Sequence, residues 1–152
     1  MKQSLPWQLL LAFIAGFLGV VIFHQGFLLL AYFLGWVPRP PYDLTGTPPL
    51  GVPKVISLAF WGGIWGIIMV ATLRRFGTGT RLWLAFLFGG VVPTLAGTLI
   101  VAPLKGLPIL LQPGRLAFGF VINGVWGLGT MIFQGILNRP LNRPQVYRPS
   151  GE

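Results

Sequence analysis

Residues 7–34 read WQLLLAFIAGFLGVVIFHQGFLLLAYFL, a stretch of 28 residues that contains no Asp, Glu, Lys or Arg. At a rise of about 1.5 Å per residue, a helix of this length exceeds the hydrocarbon core of a bilayer, which is ~30 Å thick. The stretch therefore predicts a membrane-spanning helix that tilts or projects from the membrane. Trp7 and Trp36 bracket it as interfacial anchors.

Three further apolar blocks follow, at residues 54–73, 81–102 and 116–137. The chain is 54% hydrophobic and only 9% charged, whereas soluble domains are roughly 25% charged. We therefore expect an all-α integral membrane protein, with a four-transmembrane-helix bundle over residues 1–137. Residues 138–152 form a basic, proline-containing tail. The N-terminal apolar run is too long for a cleaved signal peptide, so we expect the first span to be retained.

The basic residues flank the apolar blocks, where they anchor helix ends and set topology. Seven fall on the side of the termini and four on the other side. This asymmetry favours cytoplasmic N- and C-termini. Because the basic residues have this role in setting orientation, we expect no nucleic-acid partner despite the net charge of +9. The two loops on the other side, residues 36–53 and 103–114, are rich in proline and apolar residues. We expect them to lie at the membrane interface or to fold back over the bundle. Pro93 should kink the third span.

Short matches indicate a possible internal duplication. Residues 19–26 (GVVIFHQG) match 90–97 (GVVPTLAG), and residues 63–66 (GIWG) match 124–127 (GVWG). Two parallel helix–loop–helix repeats would follow, although Gly, Val and Trp are common enough here for short matches to arise by chance. In this register the second copy has Leu and Ala where the first has His and Gln.

Small residues recur at helical spacing, and in lipid such residues let helix backbones approach closely. They serve either packing within this bundle or docking of another subunit or a second copy. The candidate packing glycines are Gly16, Gly19, Gly62, Gly66, Gly119 and Gly127.

Three tryptophans lie well away from the ends of the predicted spans, where an indole N–H needs a partner or a cavity wall. Trp61 and Trp65 share a face of the second span, and Trp126 lies well inside the fourth. They either fill space beside glycine or form an aromatic wall for a lipid tail, a quinone or a pigment.

His24-Gln25 is the most informative dipeptide, because polar groups deep in a span are costly and tend to mark function. Three interpretations stay open. The pair could hydrogen-bond to another helix through Asn123 or Thr94, form a proton or ligand site, or bind a haem or chlorophyll-type pigment through His24.

No span contains a carboxylate, and the chain has no cysteine. Asp43, in the first loop, has Arg39 as its expected partner. One His and one loop Asp make a poor ligand set, so we expect no metal site. Nucleophile, phosphate-binding and dinucleotide-binding motifs are missing, and we expect no catalytic residues and no enzyme activity.

The segments Phe23-His24-Gln25-Gly26 and 59–66 (AFWGGIWG) resemble small bacterial inner-membrane proteins of four spans. The resemblance covers the first half of the chain. It implies a bacterial inner-membrane location and no particular activity.

These features predict a non-catalytic accessory or scaffold subunit of a membrane assembly. It would dock through glycine-rich helix faces, with other membrane subunits or a homo-oligomer as partners. The alternatives are a small transporter or channel, or a lipid-, quinone- or pigment-binding membrane protein that uses His24-Gln25.

Overall fold

The computed structural model describes residues 4–138, which contain four helices long and apolar enough to cross a membrane. These spans are span 1 (Leu5–Phe33), span 2 (Lys54–Leu73), span 3 (Thr78–Leu104) and span 4 (Pro113–Leu137). The prediction is confirmed in its coarse form, because the described residues are mostly helical and have four helices whose length and apolar composition suit a lipid bilayer. The predicted tail lies outside the described residues, apart from Asn138.

Span 2 has its predicted bounds, whereas the other three spans begin two or three residues earlier than predicted. Pro6 and Pro113 explain two of these earlier starts, because each lies in the first helical turn. A proline is tolerated there, since the first N–H groups of a helix have no partner within it. A glycine with positive φ lies two residues beyond the end of each of spans 1 and 3, namely Gly35 (73°) and Gly106 (70°).

Spans 1 and 3 each contain a π-helical segment. Span 1 is α-helical over Leu5–Leu18 and Gln25–Phe33, with a π-helix at Gly19–His24 between them. Span 3 is α-helical over Thr78–Ala96 and Ala102–Leu104, with a π-helix at Gly97–Val101. The α-helix continues through Pro93 to Ala96, and the wider turns begin at Gly97.

The first loop, residues 34–53, is not helical, as its prolines predict. It contains two short antiparallel strands, β1 (Gly46–Thr47) and β2 (Val52–Pro53), with Gly46 opposite Pro53 and Thr47 opposite Val52. The strand pair returns the chain directly to the start of span 2.

Span 1 packs on span 2 through glycines. A Cβ added at Gly16 would overlap the carbonyl of Gly62 and lie 3.0 Å from the Cα of Gly66. One turn away, the ring of Phe13 lies over Gly63, 2.5 Å from where a Cβ would be. The two backbones can approach this closely only because no side chain separates them.

The same set of contacts occurs between spans 3 and 4. A Cβ added at Gly89 would overlap the carbonyl of Asn123 and lie 3.2 Å from the Cα of Gly127. The ring of Phe86 lies over Gly124, 2.6 Å from where a Cβ would be. In each helix pair, a glycine of one span therefore lies directly against the backbone of the other span, and one turn away a phenylalanine ring lies over a second glycine.

Spans 1 and 4 join the two pairs. Gly19 lies against Thr130, with 2.6 Å between its would-be Cβ and the Thr130 hydroxyl. The indole N–H of Trp126 donates a 2.9 Å hydrogen bond to the carbonyl of Gly16, where the indole is buried. Spans 2 and 3 touch little despite their short link. Span 3 lies at the edge, since 17% of its apolar window is buried, against 39% for span 4.

Candidate functional site

A pocket of about 250 Å³ lies where the first loop meets span 1 and the start of span 2. Most of its wall is apolar and includes three prolines. Its polar residues come from three segments of the chain: Gln25 of span 1, Arg39, Tyr42 and Asp43 of the first loop, and Lys54 of span 2. An apolar wall with a few convergent polar groups makes this pocket the candidate ligand site of the described residues.

Gln25 forms the buried polar part of the pocket, with 4% of the residue exposed. Its side-chain oxygen accepts a 2.8 Å hydrogen bond from the backbone N–H of Tyr42. The Tyr42 hydroxyl in turn donates a 3.0 Å bond to the carbonyl of Val21, in the π-helical segment. Tyr42 has φ of 58°, a left-handed conformation that is rare for a bulky residue. The first loop is thus held down on span 1 through Tyr42.

This anchor agrees with the expectation that the loop folds back over the bundle. Tyr42 had no signal in the sequence beyond its place in a proline-rich loop. The contacts that define it join residues 17 and 21 positions apart. The π-helical segment next to it is also informative, because π-helical turns frequently occur at functional sites.

His24 lies beside this anchor, half-buried, and its Nδ1 is 3.4 Å from Nε2 of Gln25. That distance is long for a hydrogen bond. The predicted bond from His24-Gln25 to Asn123 or Thr94 is not formed, because Gln25 bonds to the first loop instead. His24 itself does not line the pocket, but its neighbour Gln25 does.

Asp43 is paired with Lys54, at 3.2 Å, and not with Arg39 as expected. The strand pair brings Lys54 back beside Asp43. Lys54 is therefore the partner of Asp43, although Arg39 is closer to Asp43 in the sequence. The Thr45 hydroxyl and backbone N–H also donate to the carboxylate, at 2.6 and 2.9 Å. The hydrogen bonds from Thr45, together with Lys54, lower the pKa of Asp43 to about 2, so it is an anion at neutral pH.

Arg39 is exposed on the rim of the pocket. Within residues 4–138 its guanidinium has no ion pair or hydrogen bond. Since Asp43 already neutralises Lys54, the pocket has one uncompensated positive charge. The electrostatic character of the site therefore comes from Arg39.

Asn123 and Thr94 form a separate polar pair between spans 4 and 3. The Asn123 amide donates a 2.9 Å bond to the Thr94 hydroxyl. The Thr94 methyl lies 2.9 Å from where a Cβ at Gly119 would be. An open hollow of about 290 Å³ lies nearby, and Thr94 is the one polar residue in its lining. Two of the four predicted site residues thus meet each other, away from the other two.

All six predicted packing glycines lie at contacts inside the bundle. They are therefore not free to dock another subunit. Within the described spans, other glycines have open space around them: Gly79 and Gly114 in the first turns of spans 3 and 4, and Gly26, Gly97 and Gly135 further along their spans.

The three tryptophans do not form one wall. Trp126 is 2% exposed and belongs to the core, whereas Trp61 is 57% exposed on the outer surface. Trp65 lies between these extremes and packs against the core cluster. The buried indole N–H of Trp126 has the hydrogen-bond partner that it needs, the Gly16 carbonyl.

Gln134 is a buried polar residue that the sequence interpretation did not single out. It is 6% exposed, and its side-chain oxygen has no hydrogen-bond partner. Among residues 4–138, no three His, Cys, Asp or Glu side chains lie close enough to hold a metal ion.

Comparison with known proteins returned no match of any kind, whether to family models, to curated proteins or to solved structures.

Proposed function

We propose that the protein is a non-catalytic membrane protein that acts by binding, and that the pocket beneath the first loop holds an amphiphile. The observation that carries this proposal is the anchored loop. Gln25 and Tyr42 hold a proline-rich segment over a pocket with apolar walls and a charged rim. A polar side chain buried within an apolar span is costly and tends to mark a functional site, which favours a role for this anchor beyond connecting two spans.

Lipids and quinones are the classes of amphiphile that fit an opening at the membrane boundary. A pigment or haem bound through His24 is the less favoured form of the same proposal. Its test is simple, because such a complex is coloured after purification.

Native mass spectrometry of the protein in a mild detergent tests the binding function. Wild-type protein should retain one small molecule of fixed mass, and Gln25→Leu should lose it because the loop anchor is removed. Gln134→Leu is the matched control, since it makes the same change at a buried glutamine that does not line the pocket. Wild-type protein that retains nothing contradicts the proposal.

A second candidate is an accessory subunit of a membrane assembly or a homo-oligomer. Gly97 and Gly135 favour it, because both are exposed on spans and have open space where a neighbouring helix could approach. Native mass spectrometry also tests this candidate. A larger complex in the wild type that is lost in Gly97→Leu supports docking at span 3.

We further propose that the chain arose by internal duplication. Residues 9–16 (LLLAFIAG) and 82–89 (LWLAFLFG) share five of eight positions, and both carry the Phe and Gly of the recurring contacts. This alignment uses an offset of 73, whereas residues 19–26 and 90–97 align at an offset of 71. Two extra residues in span 1, Phe17 and Leu18, reconcile the two registers. If the copies are equivalent, Phe13→Ala and Phe86→Ala should destabilise the protein by similar amounts.

We propose a bacterial inner membrane as the location, with both termini in the cytoplasm. The seven-to-four distribution of basic residues supports this orientation. Because the chain has no cysteine, single-cysteine variants can be labelled cleanly with an impermeant maleimide. In intact cells Leu50→Cys should react and Thr78→Cys should not. The reverse pattern contradicts the orientation.

A further inference from the structure

We propose that the pocket selects the phosphate headgroup of an anionic phospholipid from the surrounding bilayer, with Arg39 as the residue that recognises its charge. This inference rests on the proposed binding function and names the class of its ligand.

Charge is the first argument. The ionised Asp43 carboxylate is satisfied by Thr45 and by Lys54 at 3.2 Å, so it does not repel an incoming anion as a bare carboxylate would. Arg39 lies on the same pocket with no partner among residues 4–138. A guanidinium suits phosphate because its planar fork donates two parallel hydrogen bonds.

The Gln25 amide supplies a second donor. Its oxygen is occupied by Tyr42, which fixes the orientation of the side chain. Its Nε2 has only the long 3.4 Å contact with His24. Gln25 lines the pocket and the bonding capacity of its amide nitrogen is largely unused, so we assign it as a second donor to a phosphate oxygen.

Shape and position are the third argument. A volume of about 250 Å³ holds a headgroup and not a whole lipid. Leu58 lines the pocket and is also 41% exposed, so the apolar wall continues onto the lipid-facing surface of span 2. Lys54 is the first residue of that span. The pocket thus lies at the level where headgroups lie, with a path for an acyl chain along span 2.

The test compares two probes on the purified full chain by native mass spectrometry: phosphatidylglycerol, which is anionic, and phosphatidylcholine, which is neutral overall. Wild-type protein should retain one phosphatidylglycerol in preference to phosphatidylcholine. Arg39→Gln should bind phosphatidylglycerol roughly fivefold to tenfold more weakly, the change expected for one cation near a headgroup. Arg115→Gln is the matched control, because it removes one exposed arginine from the first turn of span 4, outside the pocket, and should leave binding unchanged.

Four outcomes would overturn the inference. Equal retention of the two lipids by the wild type, or equal weakening by Arg39→Gln and Arg115→Gln, refutes charge selection at Arg39 and leaves the binding function intact. Displacement of phosphatidylglycerol by inorganic phosphate alone identifies a free-phosphate site instead. If the wild type retains no amphiphile at all, the proposed function itself fails.

Discussion

Replacing Gly16 by alanine probes the closest backbone contact of the bundle. The new Cβ would overlap the Gly62 carbonyl and lie 3.0 Å from the Cα of Gly66. Both neighbours are backbone atoms of span 2, so neither can rotate away as a side chain can. Spans 1 and 2 must therefore separate, and the bond from Trp126 to the Gly16 carbonyl must lengthen or shift with them.

Gly26→Ala is the control, because it makes the same change on the same span where nothing lies within 4 Å of the added Cβ. Both variants gain helix propensity, ~1 kcal/mol for Gly to Ala. Only Gly16→Ala introduces overpacking, which typically costs about 1–3 kcal/mol and should lie at the upper end against a rigid backbone. The two variants should therefore differ in free energy of unfolding by about 2–3 kcal/mol, with Gly16→Ala the less stable.

Unfolding in mixed micelles with increasing dodecyl sulfate, followed by tryptophan fluorescence, measures this difference. Equal stability of the two variants would refute the interpretation of Gly16 as an intramolecular packing residue. If Gly16→Ala keeps its stability but loses a larger complex, the glycine face serves docking instead.

Three further changes probe the core, the first loop and the second polar pair. Trp126→Phe removes a buried 2.9 Å hydrogen bond and should lower the free energy of unfolding by ~1 kcal/mol or more. Trp65→Phe, which removes no such bond among the described residues, should lower it less. A similar loss in both variants would contradict the role of the bond. Asp43→Asn should speed hydrogen exchange of the backbone amide of Thr45 at neutral pH. Because the pKa of Asp43 is lowered from 3.8 to about 2, the ionised carboxylate stabilises the loop above pH ~4, and this stabilisation is lost as the pH falls towards 2. Loop mobility that is unchanged over that pH range would count against this contribution. Thr94→Val removes the acceptor of an interhelical hydrogen bond and should lower the free energy of unfolding by about 0.6 kcal/mol, a typical value for such bonds in membranes. The same micelle unfolding measures it, and a loss above ~2 kcal/mol would mean that the hydroxyl has other partners.

The candidate site could be predicted only in part. Gln25 was recognisable from the sequence, because a polar side chain deep in an apolar run needs a partner. Tyr42 was not recognisable as that partner, since a loop path decides which of many backbone N–H groups reaches it. Asp43 shows the same limit, because its nearest basic residue in sequence is Arg39 and its nearest in space is Lys54.

The number of spans, their approximate bounds and the non-helical character of the proline-rich loop can all be deduced from the amino-acid sequence alone. The physical reason is that bilayer thickness imposes a length on each apolar block, and proline and glycine act locally on the backbone. Length and local conformation are properties of a single segment, so they can be deduced without knowing its neighbours.

The face that each helix turns towards its neighbours could not be deduced in this way and is known from the packed fold. All four spans are apolar around their circumference, so hydrophobicity does not distinguish the lipid side from the protein side. Trp61 and Trp126 are both intramembrane tryptophans next to glycine, yet one is 57% exposed and the other 2%. The difference follows from how spans 1, 2 and 4 meet around Gly16, which depends on atoms that the chain brings together from 110 positions apart.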